Sequence, residues 1–265
     1  MQRKIGMSGN GDLYENVFGR EKYLCHYTSF DSLCSIISSM TLRVCSFARS
    51  NDIAELESNI SCILDTEKKS NIERYIEEKC GYISFSKNKV FEGEKPIPRY
   101  GYLIPNMWGI YADKSQGACL VLDEDALIKE NVGALNSAEW YSFQDVEYRK
   151  FQNLKLTSSK DSIEDTIRGL CTHILGTKHD SWESEQERRL VGVGLPSVLS
   201  LKGNAIIGIV IGKRTVSNHR ERLLSILGNA QNSCYGILKK DIFVKQEILG
   251  NNVFTTGFGT YFDIN

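Results

Sequence analysis

The order in which helical and strand patterns follow one another constrains the fold of this chain more than any single motif does. Helical spacing of apolar residues is found mostly early, as at residues 30–37, whereas strand-like runs recur late, at 190–193, 205–211 and 236–249. Because βαβ folds alternate the two patterns regularly, this order predicts an α+β fold. We expect one domain over residues 21–250, with a flexible lead-in at 1–20 and a C-terminal extension at 251–265.

Short segments between these runs complete the expected elements. A strand at 23–28 leads into a helix that Thr28 or Ser29 caps. Residues 87–106 hold three of the four prolines and many charges, so they predict a long surface loop. The other expected elements are strands at 42–46, 81–86 and 118–122 and a strand or hairpin arm at 138–149. A second helix is expected to begin at Asn51 or Asp52, and further helices are expected at 107–113, 161–176 and 216–227.

Composition describes an ordinary globular protein, with 41% hydrophobic and 25% charged residues. The formal net charge of -1 gives no overall attraction for nucleic acid or an anionic membrane, although a local basic groove remains compatible with it. No apolar run approaches the roughly 20 residues of a membrane span, and residues 1–22 lack the apolar core of a secretory signal. We therefore expect a cytoplasmic protein that does not associate with membranes.

The cysteines and histidines predict neither disulfides nor a metal site. The 8 cysteines form no C-x-x-C pair, and most stand inside apolar runs. This distribution is typical of buried free thiols in a reducing compartment. The 4 histidines are also unclustered, so no bound metal is expected.

Two carboxylates, Glu185 and Glu187, stand directly before an apolar run in the segment Trp182–Val191. In an extended backbone, residues two apart project from the same face. Adjacent carboxylates repel, so one of them tends to hold a proton unless a cation lies nearby. A reactive acid pair is one interpretation, but a solvated charged segment gives the same letters and is the commoner case for such a segment alone.

Two polar groups in early strands also have two interpretations. His26, Tyr27 and Thr28 offer an imidazole, an aromatic face and a hydroxyl, or they are a capped helix start behind a core tyrosine. Ser84 and Ser86 either line a pocket or form the polar face of a strand.

Aromatic, acidic and basic groups follow the same pattern of a functional and a structural interpretation. Trp108 and Tyr111 share a helix face, as a stacking wall or as core. The acidic segment 51–55 fits a helix N-cap with acidic residues in the first turn. Basic side chains that could draw a polyanion, or form a solvated helix surface, are Arg149, Lys150, Lys202, Lys213, Arg214, His219, Arg220 and Arg222.

The order of five motifs resembles that of a bacterial family catalogued as a domain of unknown function. These motifs are H-Y-T, N-D-x-x-E, S-F-S, M-W-x-x-Y-A-D with a following glycine, and K-H-x-x-W-x-x-E-x-E-x-R. The resemblance covers residues 23–215. Many members carry a histidine inside the W-x-x-Y segment, where this chain has Ile110, so no role is expected for that histidine here.

The arrangement is also similar to that of the ADP-ribosyltransferases, which include bacterial toxins that modify nucleic acid. This resemblance implies central split β-sheets flanked by helices and a site that binds NAD as substrate. His26, in an H-Y-T motif that Thr28 completes, would bond the adenosine-side ribose. Tyr27 or Tyr111 would stack on nicotinamide.

The resemblance also assigns roles around the carboxylates. Glu187, or alternatively Glu185, would hold the 2′-hydroxyl of the nicotinamide ribose, and the earlier glutamate of an E-x-E pair would orient the acceptor. Ser84 or Ser86 would support the pocket. Arg189 would bind a pyrophosphate oxygen or hold a carboxylate ionised.

These resemblances predict an NAD-dependent ADP-ribosyltransferase, a toxin or phage-defence effector that modifies nucleic acid and releases nicotinamide. RNA is the favoured target, with single-stranded DNA next, and an antitoxin or chaperone protein is an expected partner. Residues expected to hold an unstacked base or the phosphate backbone are Trp108, Trp182, Arg214 and Arg220.

Two alternatives remain open. One is a metal-independent nuclease or other hydrolase that uses Glu185, Glu187 and His26 as acid and base. The other is a non-catalytic sensor or interaction module that binds a nucleotide. We expect Glu187→Ala to abolish activity with little change in stability, because an isolated pocket carboxylate is rarely a net stabiliser.

Overall fold

The computed structural model describes the protein over residues 22–47, 66–91, 97–150, 169, 172–202, 204–212, 214–216, 218–219, 221–223, 225–226, 243–246 and 253–255. The structure contains both helices and mostly antiparallel strands, which agrees with the predicted mixed class. Strands occur from residue 23 onward, so the expected order of early helices and late strands is wrong. Backbone contacts group the chain into two compact units. The first unit lies in Met1–Ser38, Lys87–Ala126 and Gly203–Asn265, and the second in Ser39–Ser86 and Leu127–Lys202.

The described elements include fifteen strands, four α-helices and three 3₁₀-helices. The strands are β1 (Tyr23–Thr28), β2 (Thr41–Arg43), β3 (Cys45–Ser46), β4 (Cys80–Lys87), β5 (Lys89–Phe91), β6 (Ile97–Arg99), β7 (Ala118–Asp123), β8 (Trp140–Asp145), β9 (Glu147–Arg149), β10 (Thr177–His179), β11 (Glu187–Val193), β12 (Val198–Ser200), β13 (Ile206–Ile211), β14 (Phe243–Gln246) and β15 (Val253–Thr255). The helices are α1 (Phe30–Ser39), α2 (Thr66–Lys79), α3 (Pro105–Ile110) and α4 (Glu124–Leu135). None of these helices is both long and apolar enough to cross a membrane.

The first unit is built on strands in the order β15, β14, β13, β7, β1. Strand β1 pairs antiparallel with β7 over its whole length, from Tyr23 opposite Asp123 to Thr28 opposite Ala118. Strand β13 is antiparallel to β7 and parallel to β14. Strand β7 is buried from Ala118 to Leu122 because it lies between two partners.

Helix α1 follows β1 as predicted. The Oγ of Ser29 accepts a hydrogen bond of 3.3 Å from the Ser32 amide, so Ser29 is the N-cap. The predicted apolar face is buried, and its members are Phe30, Leu33, Cys34 and Ile37. The expected strand, cap and amphipathic helix are confirmed here.

The predicted long loop at 87–106 is wrong. Strands β5 and β6 pair antiparallel within it, and a 3₁₀-helix at Gly101–Leu103 precedes α3. The Tyr27 hydroxyl, on β1, donates to the Gly101 carbonyl at 2.7 Å and accepts from the Ile104 amide at 3.2 Å. Prolines and charges indicated a loop, but this buried hydroxyl supplies long-range partners for the backbone, which local patterns do not reveal.

Gly117 is required immediately before β7 begins. A Cβ at this position would stand 2.2 Å from the Thr28 carbonyl oxygen and 3.0 Å from the Ala112 carbonyl oxygen. The Gly117 amide donates to that Ala112 carbonyl at 2.8 Å. Only glycine therefore permits the close backbone approach that brings the turn after α3 onto β1.

The second unit is built on β11, which pairs antiparallel with β4 on one side and with β8 on the other. Strand β3 continues the sheet on β4, and two separate pairs are formed by β2 with β12 and by β9 with β10. Its core cluster contains Phe47, Ile76, Cys80, Ile174, Leu175, Val191 and Val193.

Two helices of the structure do not follow from apolar periodicity. In α4, Asn131 occupies a buried position between Leu127 and Leu135. Its amide donates to the Ser200 carbonyl at 2.9 Å and accepts from the Ser200 amide at 2.7 Å, so a polar residue fills a core position. Helix α2 was also missed, because it is polar and buries Ile76 alone among its described side chains. The helix predicted from Asn51 or Asp52 lies outside the described residues, as does most of the one at 161–176.

Candidate functional site

Glu185 and Glu187 reach one site from different local structures. A 3₁₀-helix covers Asp180–Glu185, Gln186 takes a left-handed conformation with φ 49°, and β11 begins at Glu187. The expectation that both carboxylates project from one extended strand is therefore wrong. A short helical turn and a left-handed residue orient the pair.

Glu187 is held by three side chains through both of its carboxylate oxygens. Arg189 donates from Nε to Oε1 at 2.6 Å and from Nη2 to Oε2 at 3.0 Å. The Ser84 hydroxyl donates to Oε1, and Lys178 Nζ donates to Oε2 at 3.3 Å. The Glu187 side chain is 5% exposed, so these contacts replace water.

Lys178, on β10, connects the two glutamates. Its Nζ lies 2.7 Å from Glu185 Oε2 and 3.3 Å from Glu187 Oε2. The same ammonium lies 4.7 Å from the centroid of the Trp182 ring, within the range of a cation–π interaction. Glu185 and Lys178 are both buried, so the ion pair is desolvated.

Arg189 is fixed more firmly than the lysine. Besides its two bonds to Glu187, its Nη1 donates to the Leu175 carbonyl at 2.8 Å. Its guanidinium carbon lies 5.9 Å from the Phe47 ring centroid and 5.6 Å from that of Tyr82. Only 1% of the side chain is exposed.

The cations determine how the buried groups ionise. Burial alone would raise the pKa of Glu187, but the charges of Arg189 and Lys178 outweigh it and bring that pKa down to about 2. Burial would lower the pKa of Lys178, yet the charges of Glu187 and Glu185 raise it above its ordinary value. Glu187 and Lys178 are therefore both charged at neutral pH.

The four ionic side chains form what we call the charge quartet: Lys178, Glu185, Glu187 and Arg189. With all four ionised, two negative and two positive charges sum to zero. The solvated-segment interpretation is wrong for these two glutamates, since both are buried. The predicted repulsion is relieved by two cations, of which Arg189 was anticipated for this role and Lys178 was not.

The serine pair lies on β4, the strand that pairs with β11 and so stands next to Glu187. In the β4–β11 ladder, Ser86 stands opposite Glu187 and Ser84 stands opposite Arg189. Directly opposed residues share a face of the sheet. The Ser86 hydroxyl is fully buried and has no hydrogen-bond partner among the described residues.

Tyr148 completes the surroundings of Glu187 and was not anticipated. Its hydroxyl accepts a hydrogen bond of 2.8 Å from the Glu187 backbone amide. Burial, followed by the charge of Glu187, raises the pKa of Tyr148, so the phenol stays neutral. Lys178 could have been identified from the K-H-x-x-W-x-x-E-x-E-x-R motif, which contains it, whereas no sequence signal pointed to Tyr148.

The H-Y-T residues lie in the first unit, on β1. His26 is half-buried, and Thr28 is buried at the end of the strand. Tyr27 packs edge-on against Trp108 at 5.1 Å between ring centroids, and both rings belong to the core cluster. This packing is what the core interpretation of the two aromatics predicts.

The remaining aromatic and basic candidates are distributed over both units. Trp108 Nε1 donates to the Tyr102 carbonyl at 2.9 Å, and Tyr111 is half-buried against the same core. Arg214 is exposed, whereas Arg222 pairs with Asp31 at 2.8 Å. The candidates that lie outside the described residues are Asn51, Asp52, Glu55, Lys213 and Arg220.

Within the part of the chain that the structure describes, no group of three or more His, Cys, Asp or Glu side chains could hold a metal ion. The cysteines described there are free thiols, buried except for half-buried Cys45; they are Cys25, Cys34, Cys45, Cys80 and Cys119.

One family model matches part of the chain. Residues 107–190 match the family described as "Protein of unknown function (DUF2971)". The matched range contains the last two of the five motifs, and with them the whole charge quartet. The predicted likeness to a family of unknown function is thereby supported over this range. No curated protein and no solved structure matches the chain.

Proposed function

We propose that this chain is an NAD-dependent ADP-ribosyltransferase that releases nicotinamide and transfers ADP-ribose to nucleic acid, with RNA favoured over single-stranded DNA. One observation carries the proposal. The buried, ionised carboxylate of Glu187 is bonded to Ser84 on the neighbouring strand, and Glu185 is held beside it through Lys178. This combines the S-x-S and E-x-E motifs in one place, as the resemblance implies.

The chemistry suits an ionised carboxylate. Breaking the bond between ribose C1′ and the nicotinamide nitrogen sends the electron pair to nicotinamide and leaves positive charge on the ribose, as in glycoside hydrolysis. A fixed negative charge in a water-poor site stabilises that charge, and such electrostatic terms are often the largest in catalysis. Glu187, with a pKa of about 2, is ionised for this role at neutral pH.

The acceptor then forms the new bond to C1′ and loses its proton. In the proposed reaction Glu185 orients the acceptor and takes that proton, a contribution that is typically 10²–10⁴-fold in general base catalysis. Trp182 belongs to the same segment and is half-buried, so part of its ring is accessible to an unstacked base. The roles of His26, Tyr27, Thr28 and Tyr111 towards NAD rest on the resemblance.

The lowered pKa of Glu187 argues against the hydrolase alternative with this residue as the base. A carboxylate that ionises near pH 2 is a weak proton acceptor at neutral pH. The same value prevents it from holding a proton to donate. Cleavage of RNA in the absence of NAD would nevertheless favour a nuclease.

A second candidate function is a nucleotide-binding sensor without turnover. Protein donors already occupy both carboxylate oxygens of Glu187. A carboxylate bonded in this way favours a structural role in a sensor over a catalytic role. A thermal shift with NAD that is not accompanied by nicotinamide release would support the sensor.

The test compares two variants that keep the buried charge at zero. Lys178→Met/Glu187→Gln retains Glu185 and Arg189, whereas Lys178→Met/Glu185→Gln retains Glu187 and Arg189. Purified proteins are incubated with NAD labelled in the adenylate, together with RNA, single-stranded DNA or lysate. We expect the first variant to lose nicotinamide release. The second should still release nicotinamide, with water taking the ADP-ribosyl group, but should no longer label nucleic acid.

Glu183→Gln is the matched control, because Glu183 is an exposed glutamate on the same 3₁₀-helix. It should behave as the wild type. The transferase proposal fails if the wild type neither releases nicotinamide nor labels any acceptor, or if Lys178→Met/Glu187→Gln is as active as the wild type.

A further inference from the structure

The acceptor capacity of Glu187 is fully used in this structure. An ionised carboxylate offers about four acceptor positions. Four hydrogen bonds occupy them: Ser84 and Arg189 Nε on Oε1, and Arg189 Nη2 and Lys178 on Oε2. A ligand hydroxyl that donates to Glu187 must therefore displace one of these donors.

The four donors differ in how easily they can be displaced. Arg189 is also bonded to the Leu175 carbonyl and flanked by two aromatic rings, so its fork cannot turn without losing several contacts. Ser84 lies on the strand that pairs directly with β11. The contact from Lys178 is the longest of the four, at 3.3 Å.

Lys178 also keeps other partners when it leaves Glu187. Its bond to Glu185 is shorter, at 2.7 Å, and its ammonium lies over the Trp182 ring. An ammonium on a flexible stem rotates among partners more readily than a guanidinium fork. Giving up the contact to Glu187 therefore leaves the lysine paired and not stranded in the interior.

We propose that Lys178 is a positioning residue that holds Glu185 and Glu187 ionised together and yields its place on Glu187 to a sugar hydroxyl of the bound nucleotide. This inference rests on the proposed function and names the residue that readies its site for substrate. The lysine moves within the charge quartet, from a bridge between two glutamates to a partner of Glu185 alone.

Removing Lys178 would change the charge balance of the buried side chains around Glu187. Among the described residues, the side chains that contact Lys178 or Glu187 are Glu185, Arg189, Ser84, Tyr148 and Trp182. Without the lysine, two buried carboxylates share one arginine, and one carboxylate then retains a proton to a higher pH. Replacing Glu185 by glutamine as well removes this proton retention, because the charges of Glu187 and Arg189 then sum to zero.

The experiment measures nicotinamide release against pH and NAD concentration for the wild type, Lys178→Met, Lys178→Arg and Lys178→Met/Glu185→Gln. The acid limb is the low-pH side of the profile, where the rate of nicotinamide release falls. We expect Lys178→Met to shift the midpoint of this limb to higher pH by about one unit or more. The double variant should return the limb to the wild-type position, and Lys178→Arg should not shift it. Above the limb, Lys178→Met should lower KM for NAD by about two- to tenfold, the equivalent of one net hydrogen bond.

A second readout needs no turnover. A ¹³C-carboxyl NMR titration of glutamate-labelled protein should show a carboxyl of Lys178→Met that titrates at higher pH than in the wild type. The control is Lys79→Met, which removes an exposed lysine at the end of α2. Should Lys178→Met fail to fold, Lys178→Met/Glu185→Gln against the wild type gives the same test of NAD affinity at balanced charge.

The outcomes separate this inference from the transferase proposal. Identical pH profiles, KM values and carboxyl titrations for the wild type and Lys178→Met overturn the role of Lys178 while the transferase stands. NAD binding without nicotinamide release overturns the transferase, and Lys178 is then supported by tighter NAD binding in Lys178→Met. Failure of every variant to bind NAD overturns both.

Discussion

Arg189 donates a hydrogen bond to each carboxylate oxygen of Glu187, at 2.6 and 3.0 Å, and the two residues stand only two positions apart on β11. Residues two apart on a strand share a face, so the Arg189 guanidinium can bond a carboxylate of its own strand. The pair is buried, and the arginine also bonds the Leu175 carbonyl. The second unit thus carries an ionic centre beneath its surface.

Loss of this fork should destabilise the fold. Arg189→Met leaves Glu187 buried with Lys178 as its remaining cation and frees the Leu175 carbonyl. We expect a loss of about 3–5 kcal/mol in the free energy of unfolding, measured by urea denaturation. Arg188→Met is the matched control, since the neighbouring Arg188 pairs with exposed Asp145 and should cost about 1 kcal/mol or less. Equal losses for the two variants would contradict the buried fork.

The structure revises the expected effect of Glu187→Ala. The sequence suggested an isolated carboxylate whose removal costs little, but Arg189 and Lys178 depend on it. We now expect Glu187→Ala to cost about 3–5 kcal/mol, and loss of activity in it would not distinguish chemistry from unfolding. Lys178→Met/Glu187→Gln should be more stable than Glu187→Ala in the same urea titration. The reverse order of stability would show that charge balance does not govern this site.

Acid should weaken the protein through Glu187. Its pKa falls from an ordinary 4.5 to about 2 on folding, so the stabilisation is complete above pH 4.5 and is lost as the pH falls through 2. The contribution is on the order of 3 kcal/mol. Urea titrations between pH 5 and pH 2 should show a steeper loss for the wild type than for Lys178→Met/Glu187→Gln. Parallel losses would mean that Glu187 is not held ionised by its neighbours.

Tyr27 offers a test of whether its hydroxyl serves the fold. Tyr27→Phe leaves the Gly101 carbonyl and the Ile104 amide without that partner, which should cost about 1–3 kcal/mol in thermal or urea unfolding. The ring remains, so the Kd for NAD should not change. A weakened affinity for NAD at unchanged stability would instead assign the hydroxyl to the ligand.

The proposed role as a toxin predicts an effect on growth. Strong expression of the wild type should arrest bacterial growth, and Lys178→Met/Glu187→Gln should relieve the arrest at equal soluble yield. Normal growth with abundant soluble wild-type protein would contradict the toxin proposal.

Local patterns predicted the elements whose apolar residues face one core. Strand β1 and the buried face of α1 follow directly from spacing and a serine cap. Apolar periodicity does not predict helix α4, because Asn131 occupies a buried position where an apolar side chain is expected. Its side-chain amide is hydrogen-bonded to the backbone of Ser200. The order of segment 87–106 was not predicted, because part of it depends on a distant residue. The Tyr27 hydroxyl, some 75 positions upstream, is hydrogen-bonded to the Gly101 carbonyl and the Ile104 amide.

The sequence predicted which carboxylates belong to the candidate site. It did not predict whether these carboxylates are solvated, protonated or paired with cations. The motifs identified Glu185, Glu187, Ser84 and Arg189, and the β4–β11 register places the last three next to one another. Whether the glutamates are solvated, protonated or paired depends on Lys178, which arrives from β10 through a parallel pairing with β9. The K-H-x-x-W-x-x-E-x-E-x-R motif contains Lys178, but its spacing does not show that the ammonium bonds both glutamates.

The most direct test of the account is the release of nicotinamide from NAD by the purified wild type and by the two charge-balanced variants. We predict that the wild type and Lys178→Met/Glu185→Gln release nicotinamide, while Lys178→Met/Glu187→Gln, folded to the same extent, does not. Equal release by both double variants, or none by the wild type with RNA, DNA and lysate present, would contradict the central role of Glu187.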